Sequence, residues 1–224
     1  LQEARVSLKE QAGEEHHEVA DVLRNIGSSF RRMGRLEEAR DMYQQSLRIA
    51  RINDDGCSAS KSDLAHSLHS LGTIFNELRM FEEAFSVFEE VLAIMRQLHG
   101  ENHPSVADTF VSMGTALAGQ GKCDQEIRML KKALKINRRI FGEDNLHVAS
   151  VLQAMGSSYF DEGEFQKALG TFAKVIAMRD RALGVDNLEN ADAYVKMSGC
   201  QIQEPFDSGS APESLNVALP AALE

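Results

Sequence analysis

The sequence is short of what would mark an enzyme, a membrane protein or a secreted domain. No apolar stretch approaches the roughly 18–20 residues that a membrane span needs, and the N-terminus has no signal-peptide pattern. Cysteine is limited to Cys57, Cys123 and Cys200, an odd number with no CxxC spacing. That argues against a redox or metal site and reads as free thiols in a reducing, cytoplasmic compartment. There is no phosphate-binding glycine loop, no nucleophile elbow and no H-E-x-x-H, so catalysis has no candidate residues and no cofactor is expected. Positive charge is also scarce. Lys and Arg number 24 against 34 Asp and Glu, a net charge of −10, which argues against nucleic acid because phosphate neutralisation needs clustered cations. What is present is ordinary for a soluble protein, and 224 residues suffice for a substantial core.

One short stretch looks like a site. "GENHPSVA" at 100–107 puts His103 beside an acid and a proline, but it has relatives in the same chain. "GEEHHEVA" occurs at 13–20, "GEDNLHVA" at 142–149 and "GVDNLENA" at 184–191. Gly100, Gly142 and Gly184 are 42 residues apart, and Asn145 and Asn187 replace His103. A catalytic base or metal ligand cannot be exchanged that way, whereas a turn residue can. The stretch is a linker repeated through the chain.

Between linkers, each unit holds two segments of 3–4 apolar periodicity, the mark of amphipathic helices. The first segments align on Gly27, Gly72, Gly114 and Gly156. A mid-helix Gly costs about 1 kcal/mol against Ala, so four at one register imply close approach of a second helix. That second helix carries a small residue at Ala39, Ala84 and Ala168, and a large one at Tyr43, Phe88, Leu130 and Phe172. In the third unit Glu126 takes the small position, which is expected to loosen packing there. Gly119, outside this register, is expected to lie away from that contact, so that a Leu there would be nearly harmless. A helical hairpin cannot bury its apolar face alone, so the units must stack.

These residues resemble the tetratricopeptide repeat in its 42-residue form, and the "GxxHPxVA" linkers are most similar to those of kinesin light chains. The resemblance implies an all-α, right-handed superhelical solenoid of stacked antiparallel hairpins. The end of a preceding repeat helix falls at 1–13. Repeats are expected at 14–53, 64–100, 101–142 and 143–184, with an extended linker loop at 54–63. Residues 185–203 read as the first helix of an incomplete fifth repeat and 204–224 as a tail. Because the chain begins without Met and inside the pattern, it is expected to be a fragment of a longer protein.

The resemblance further implies that the first helices line a concave groove that binds protein or peptide segments. Helical spacing puts the residues six and three before each small position, and one and four after it, on one face. Those and their neighbours give the candidate groove residues Arg24, Asn25, Arg31, Arg32, His66, His69, Thr73, Asn76, Val111, Gln153 and Phe160. Arginines and histidines collect at one end and apolar residues at the other. A peptide with an acidic end and an apolar end would match both, since guanidinium groups form forked bonds to carboxylates. In kinesin light chains an Asn two before the small position clamps peptide backbone; here Asn25 matches, and Ser70, Ser112 and Ala154 do not. The implied function is a cargo-binding adaptor, with the sensor array of a larger signalling ATPase or enzyme as the alternative. His66 and His69 could share a metal ion by spacing, but no further ligand in sequence completes the set, and no metal is expected. Residues 213–223 are expected either to cover an open apolar surface, with Pro220 interrupting any helix there, or to be a disordered remnant.

Overall fold

A computed structural model describes residues 17–185 and 187–203 of the chain. The helices run α1 His17–Arg32, α2 Leu36–Ile52, α3 Ser58–Glu77, α4 Phe81–His99 and α5 Pro104–Gly119. They continue with α6 Cys123–Phe141, α7 Leu146–Asp161, α8 Phe165–Leu183, a 3-10 turn Leu188–Asn190 and α9 Ala191–Gln203. No strand occurs among the described residues. Helices pair as α1/α2, α3/α4, α5/α6 and α7/α8, and each second helix packs on the next first helix. Direct contacts also join α1 to α3, α3 to α5 and α7 to α9, with none comparable between second helices among the described residues. First helices are therefore drawn together and second helices fan apart, which places the first helices on the concave side of the solenoid.

The small-to-large register explains the hairpins. A Cβ added at Gly27, Gly72 or Gly156 would lie 2.8, 2.8 or 2.7 Å from the ring of Tyr43, Phe88 or Phe172. Those rings are almost wholly buried, so each hairpin closes on an aromatic face that only a glycine admits. At Gly114 the partner is the smaller Leu130, and an added Cβ would sit at an ordinary 3.4 Å.

Gly119 departs from the expectation. A Cβ there would collide with the ring of Phe81, more severely than at any of the four register glycines. Phe81 opens α4 in the preceding repeat, and the Gln120 amide donates to its carbonyl at 3.1 Å. The register compares helices within one hairpin, so it is blind to a contact made between hairpins.

Linker residues act as helix caps. The His103 Nδ1 accepts the Ser105 N–H at 3.3 Å with Pro104 in the first turn of α5. Asn145 does the same for α7 through Oδ1, accepting from His147 N–H at 2.9 Å. An imidazole and an amide oxygen satisfy the same orphan donor, which is why one replaces the other. Burial lowers the His103 pKa, the like charge of the neighbouring His99 adds to the drop, and Asp108 opposes it. A neutral ring is the form that can accept.

The stretch 54–63, expected to be a linker loop, is a loop only as far as Cys57. α3 starts at Ser58, where the Cys57 sulfur accepts the Ser60 N–H at 3.4 Å and the Ser60 hydroxyl donates to Asp55 at 2.8 Å. With neither Pro nor Gly in "SASKSD", nothing stops the helix from extending back to this cap.

Within the hairpin turns, Gly34, Gly121 and Gly163 take φ near +70°, and Arg79 holds the same conformation at φ 62°. The left-handed region suits glycine and strains an L side chain. Arg79→Gly is expected to stabilise the chain by about 0.5–1 kcal/mol in urea melts. A loss instead would mean that the guanidinium over the Phe81 ring, 5.7 Å from its centroid, outweighs the backbone strain.

Glu126 does not leave a gap at the small position. Its side chain is buried, and Oε1 accepts the Ser158 hydroxyl at 2.6 Å, joining α6 to α7. Burial pushes its carboxyl above the usual range, the Ser158 bond pulls it back, and Asp161 and Glu162 push it further.

Candidate peptide-binding groove

The concave wall is built from α1, α3, α5, α7 and α9, and most of the residues singled out from sequence lie on it with partners of their own. The Arg24 Nη2 donates to Asp21 at 2.7 Å, one turn away, leaving the side chain 24% exposed. The Arg31 Nε donates to Glu77 of α3 at 2.6 Å. Arg32 is exposed, as are Asn25 and His66. The basic end foreseen for the groove is thus largely neutralised by carboxylates of the same wall.

His69 is half-buried. Its ring meets Phe88 edge-on at 5.5 Å, and Nε2 shares a hydrogen bond with the Ser112 hydroxyl at 3.3 Å. Burial lowers its pKa, with Asp108 opposing and His66 and Arg31 adding to the drop. Crowding by the groove walls raises the Asp108 carboxyl, against the pull of His147, His69 and His103. The Asn76 amide donates to the Ser112 carbonyl at 3.4 Å, and the Thr73 hydroxyl donates back to the His69 carbonyl at 2.9 Å. Val111 is half-buried against the core.

At the other end, the Gln153 amide donates to Asp192 of α9 at 2.6 Å, and Lys196 donates to the Ser157 hydroxyl at 2.7 Å. Phe160 packs edge-on to Phe165 at 5.7 Å and lies against Gly199, so it belongs to the small C-terminal core and is only half-exposed to a ligand. Val195 is 71% exposed and supplies the open apolar surface there. The expected cover from residues 213–223, like the expected helix end at 1–13, lies outside the described residues.

Sequence reasoning missed Glu77, Ser112 and Lys196. Ser112, two before Gly114, joins α5 to His69 and Asn76 of α3. Asp21 was within reach of sequence reasoning, because a carboxylate three residues before an arginine shares its helix face. Glu77 lies 46 residues from Arg31, one repeat and one residue onward, and pairing across repeats needs the stack itself.

Burial raises the Cys123 thiol pKa, as do Glu162, Glu126 and Asp161. Among the described residues, no three His, Cys, Asp or Glu side chains gather where they could hold a metal ion. No helix of the described residues is long and apolar enough to cross a membrane.

The tetratricopeptide repeat family model matches residues 1–52 and 63–139, more than half of the chain. The chain belongs to the tetratricopeptide repeat family. Its solenoid superposes on that of a Podosopora anserina protein described as a kinesin light chain with nearly identical TPR-like repeats. The TM-score is 0.69 and the identity 16%, covering 84% of this chain and 87% of that one. BtubC (BKLC) from P. vanneervenii gives a TM-score of 0.67 at 16% identity, over 94% of this chain and 92% of that one. Aspartyl phosphate phosphatase F from Bacillus subtilis gives 0.67 at 17%, with 81% of this tetratricopeptide array matching 45% of that chain. At such identities these likenesses establish the shared fold. No curated protein matches the chain.

Proposed function

We propose that this tetratricopeptide array is a protein-interaction scaffold that holds an extended peptide of a partner protein along its concave wall, in the manner of a kinesin-light-chain adaptor. The observation that carries the reading is the wall's two-layered build. Arg31–Glu77, Asn76–Ser112, Gln153–Asp192 and Lys196–Ser157 tie neighbouring first helices together. Asn25, His66, Thr115, Ser150 and Val195 stay exposed on the same helices. A surface whose framework is already fixed loses little freedom on binding.

The tied arginines narrow the partner. An acidic end of the peptide meets Arg32 directly and reaches Arg24 and Arg31 only by displacing Asp21 and Glu77. A polar segment ending in an apolar residue near Val195 suits the wall better than a run of carboxylates. The three cysteines, none in a disulfide among the described residues, accord with a reducing, cytoplasmic setting.

Thr115 is exposed at the middle of the wall, so Thr115→Trp obstructs the groove without entering the core. Peptides selected from a random display library on the parent chain are expected to lose about tenfold or more in affinity for Thr115→Trp, by fluorescence anisotropy. The melting temperature should not move. Equal binding to both would sink the groove reading.

A further inference from the structure

The densest cluster of cations among the described residues of this acidic protein lies on the outside of the solenoid. Arg128, Lys131, Lys132, Lys135, Arg138 and Arg139 recur along α6 at intervals of three and four, which gathers all six on one helical face. All six are exposed. Arg138 pairs with Glu143 at 2.8 Å, and Arg139 reaches the Asn102 amide oxygen at 3.5 Å. Lys132 lies over the Phe110 ring, 5.2 Å from its centroid. Arg128, Lys131 and Lys135 have no carboxylate partner among the described residues.

Such a face costs the helix something. Lysines and arginines four apart, as at 128 and 132, 131 and 135, or 135 and 139, repel by a few tenths of a kcal/mol per pair. Only Arg138 and Arg139 gain from the dipole at the helix C-terminus. The other four are not explained by α6 itself.

We propose that the outer face of α6 is a docking surface for an acidic segment of a partner protein, separate from the concave groove. Charge complementarity gives the sign of the ligand, and the neighbouring helix gives its width. At the register where α6 carries Lys131 and Lys132, α4 carries the exposed Glu89 and Glu90, and its first turn adds Glu82 and Glu83. On the other side, the same register of α8 holds Ala173 and the exposed Lys174, with Gly170 and Ala177 one turn to either side. A bilayer or a nucleic acid duplex spreads over several helices and meets the acids of α4. A single acidic helix or strand follows α6 alone. From Arg128 to Arg139 the cations cover roughly 17 Å, the length of about twelve helical residues.

The test uses the full chain and a fluorescein-labelled Glu/Ala peptide of about twelve residues. Anisotropy is expected to report binding that weakens as salt rises and that falls about tenfold or more in Lys131→Glu/Lys135→Glu. The double reversal places glutamates within one turn of Arg128, Lys132 and Arg139, so its melting temperature should stay level or rise. Thr115→Trp should bind this peptide as the parent does. Binding unchanged by the reversal overturns the inference. So does loss on Thr115→Trp instead, which would move the acidic peptide into the groove and leave the groove reading standing. Tighter, reversal-sensitive binding of single-stranded DNA or phosphatidylserine vesicles would assign the face to a phosphate-bearing partner. Self-association of the parent that the reversal abolishes would assign it to a second copy. Either of these also overturns it.

Discussion

Gly72→Leu and Gly156→Leu are each expected to lower stability by about 3 kcal/mol or more, whereas Gly114→Ala, at the same register one repeat along, should raise it by about 0.5–1 kcal/mol. The sign turns on the facing residue. At Gly72 and Gly156 an added Cβ already falls within 2.8 Å of a buried phenylalanine ring with nowhere to move, and Leu adds three more carbons. At Gly114 the added methyl meets Leu130 at 3.4 Å and the Glu126 Cγ at 3.7 Å, which are normal contacts. Alanine there gains helix propensity at no steric cost. For a chain of this size, each kcal/mol shifts the melting temperature by about 2–4 °C, so calorimetry resolves both directions. A loss at Gly114→Ala equal to that at Gly72→Leu would show that Leu130 packs as tightly as the rings do.

Glu126→Gln is expected to stabilise the chain at neutral pH and to make no difference at about pH 4. Burial raises the Glu126 carboxyl above its unfolded value, so the folded chain binds the proton more tightly than the unfolded chain does. The stability this group lends is complete below the unfolded pKa and is lost as pH rises through the folded one. Gln keeps an oxygen to accept from Ser158 and never acquires the charge. The gain at neutral pH is expected to be about 1 kcal/mol, the scale of a buried polar group relieved of its desolvation. Urea melts of both chains across pH 4–7.5 measure it, and parallel curves would mean that Glu126 is not desolvated in the folded state.

Much of the fold was legible because repetition shows itself four times over. The mid-helix glycines facing Tyr43, Phe88 and Phe172 and the exchange of His103 for Asn145 each had a physical reason that the sequence displayed. What was not legible lies between repeats. Gly119 against Phe81, Glu126 against Ser158 and Arg31 against Glu77 are all contacts from one hairpin to the next, invisible to an alignment that compares each hairpin with its copies. The same blindness affected the groove. Helical spacing put the cations on the inner wall and Asp21 one turn from Arg24, but only the stack shows that Glu77 already holds Arg31. The start of α3 at Ser58 was hidden differently, by a cysteine sulfur serving as the cap, a role that Ser, Thr, Asp or Asn usually fill.

The closer approach of first helices to one another than of second helices makes the array elastically lopsided. Straightening the solenoid would stretch the inner side, where Arg31–Glu77, Asn76–Ser112, Gln153–Asp192 and Lys196–Ser157 act as tethers across neighbouring repeats. On the outer side Arg51 of α2 pairs with Glu90 of α4 at 3.1 Å, and no further ion pair joins two second helices among the described residues, so that side opens or closes more freely. A ligand that drew Arg31 or Lys196 to itself would therefore slacken one tether and let the curvature relax at that repeat alone. Occupancy at one end of the groove would then be felt as a change of pitch.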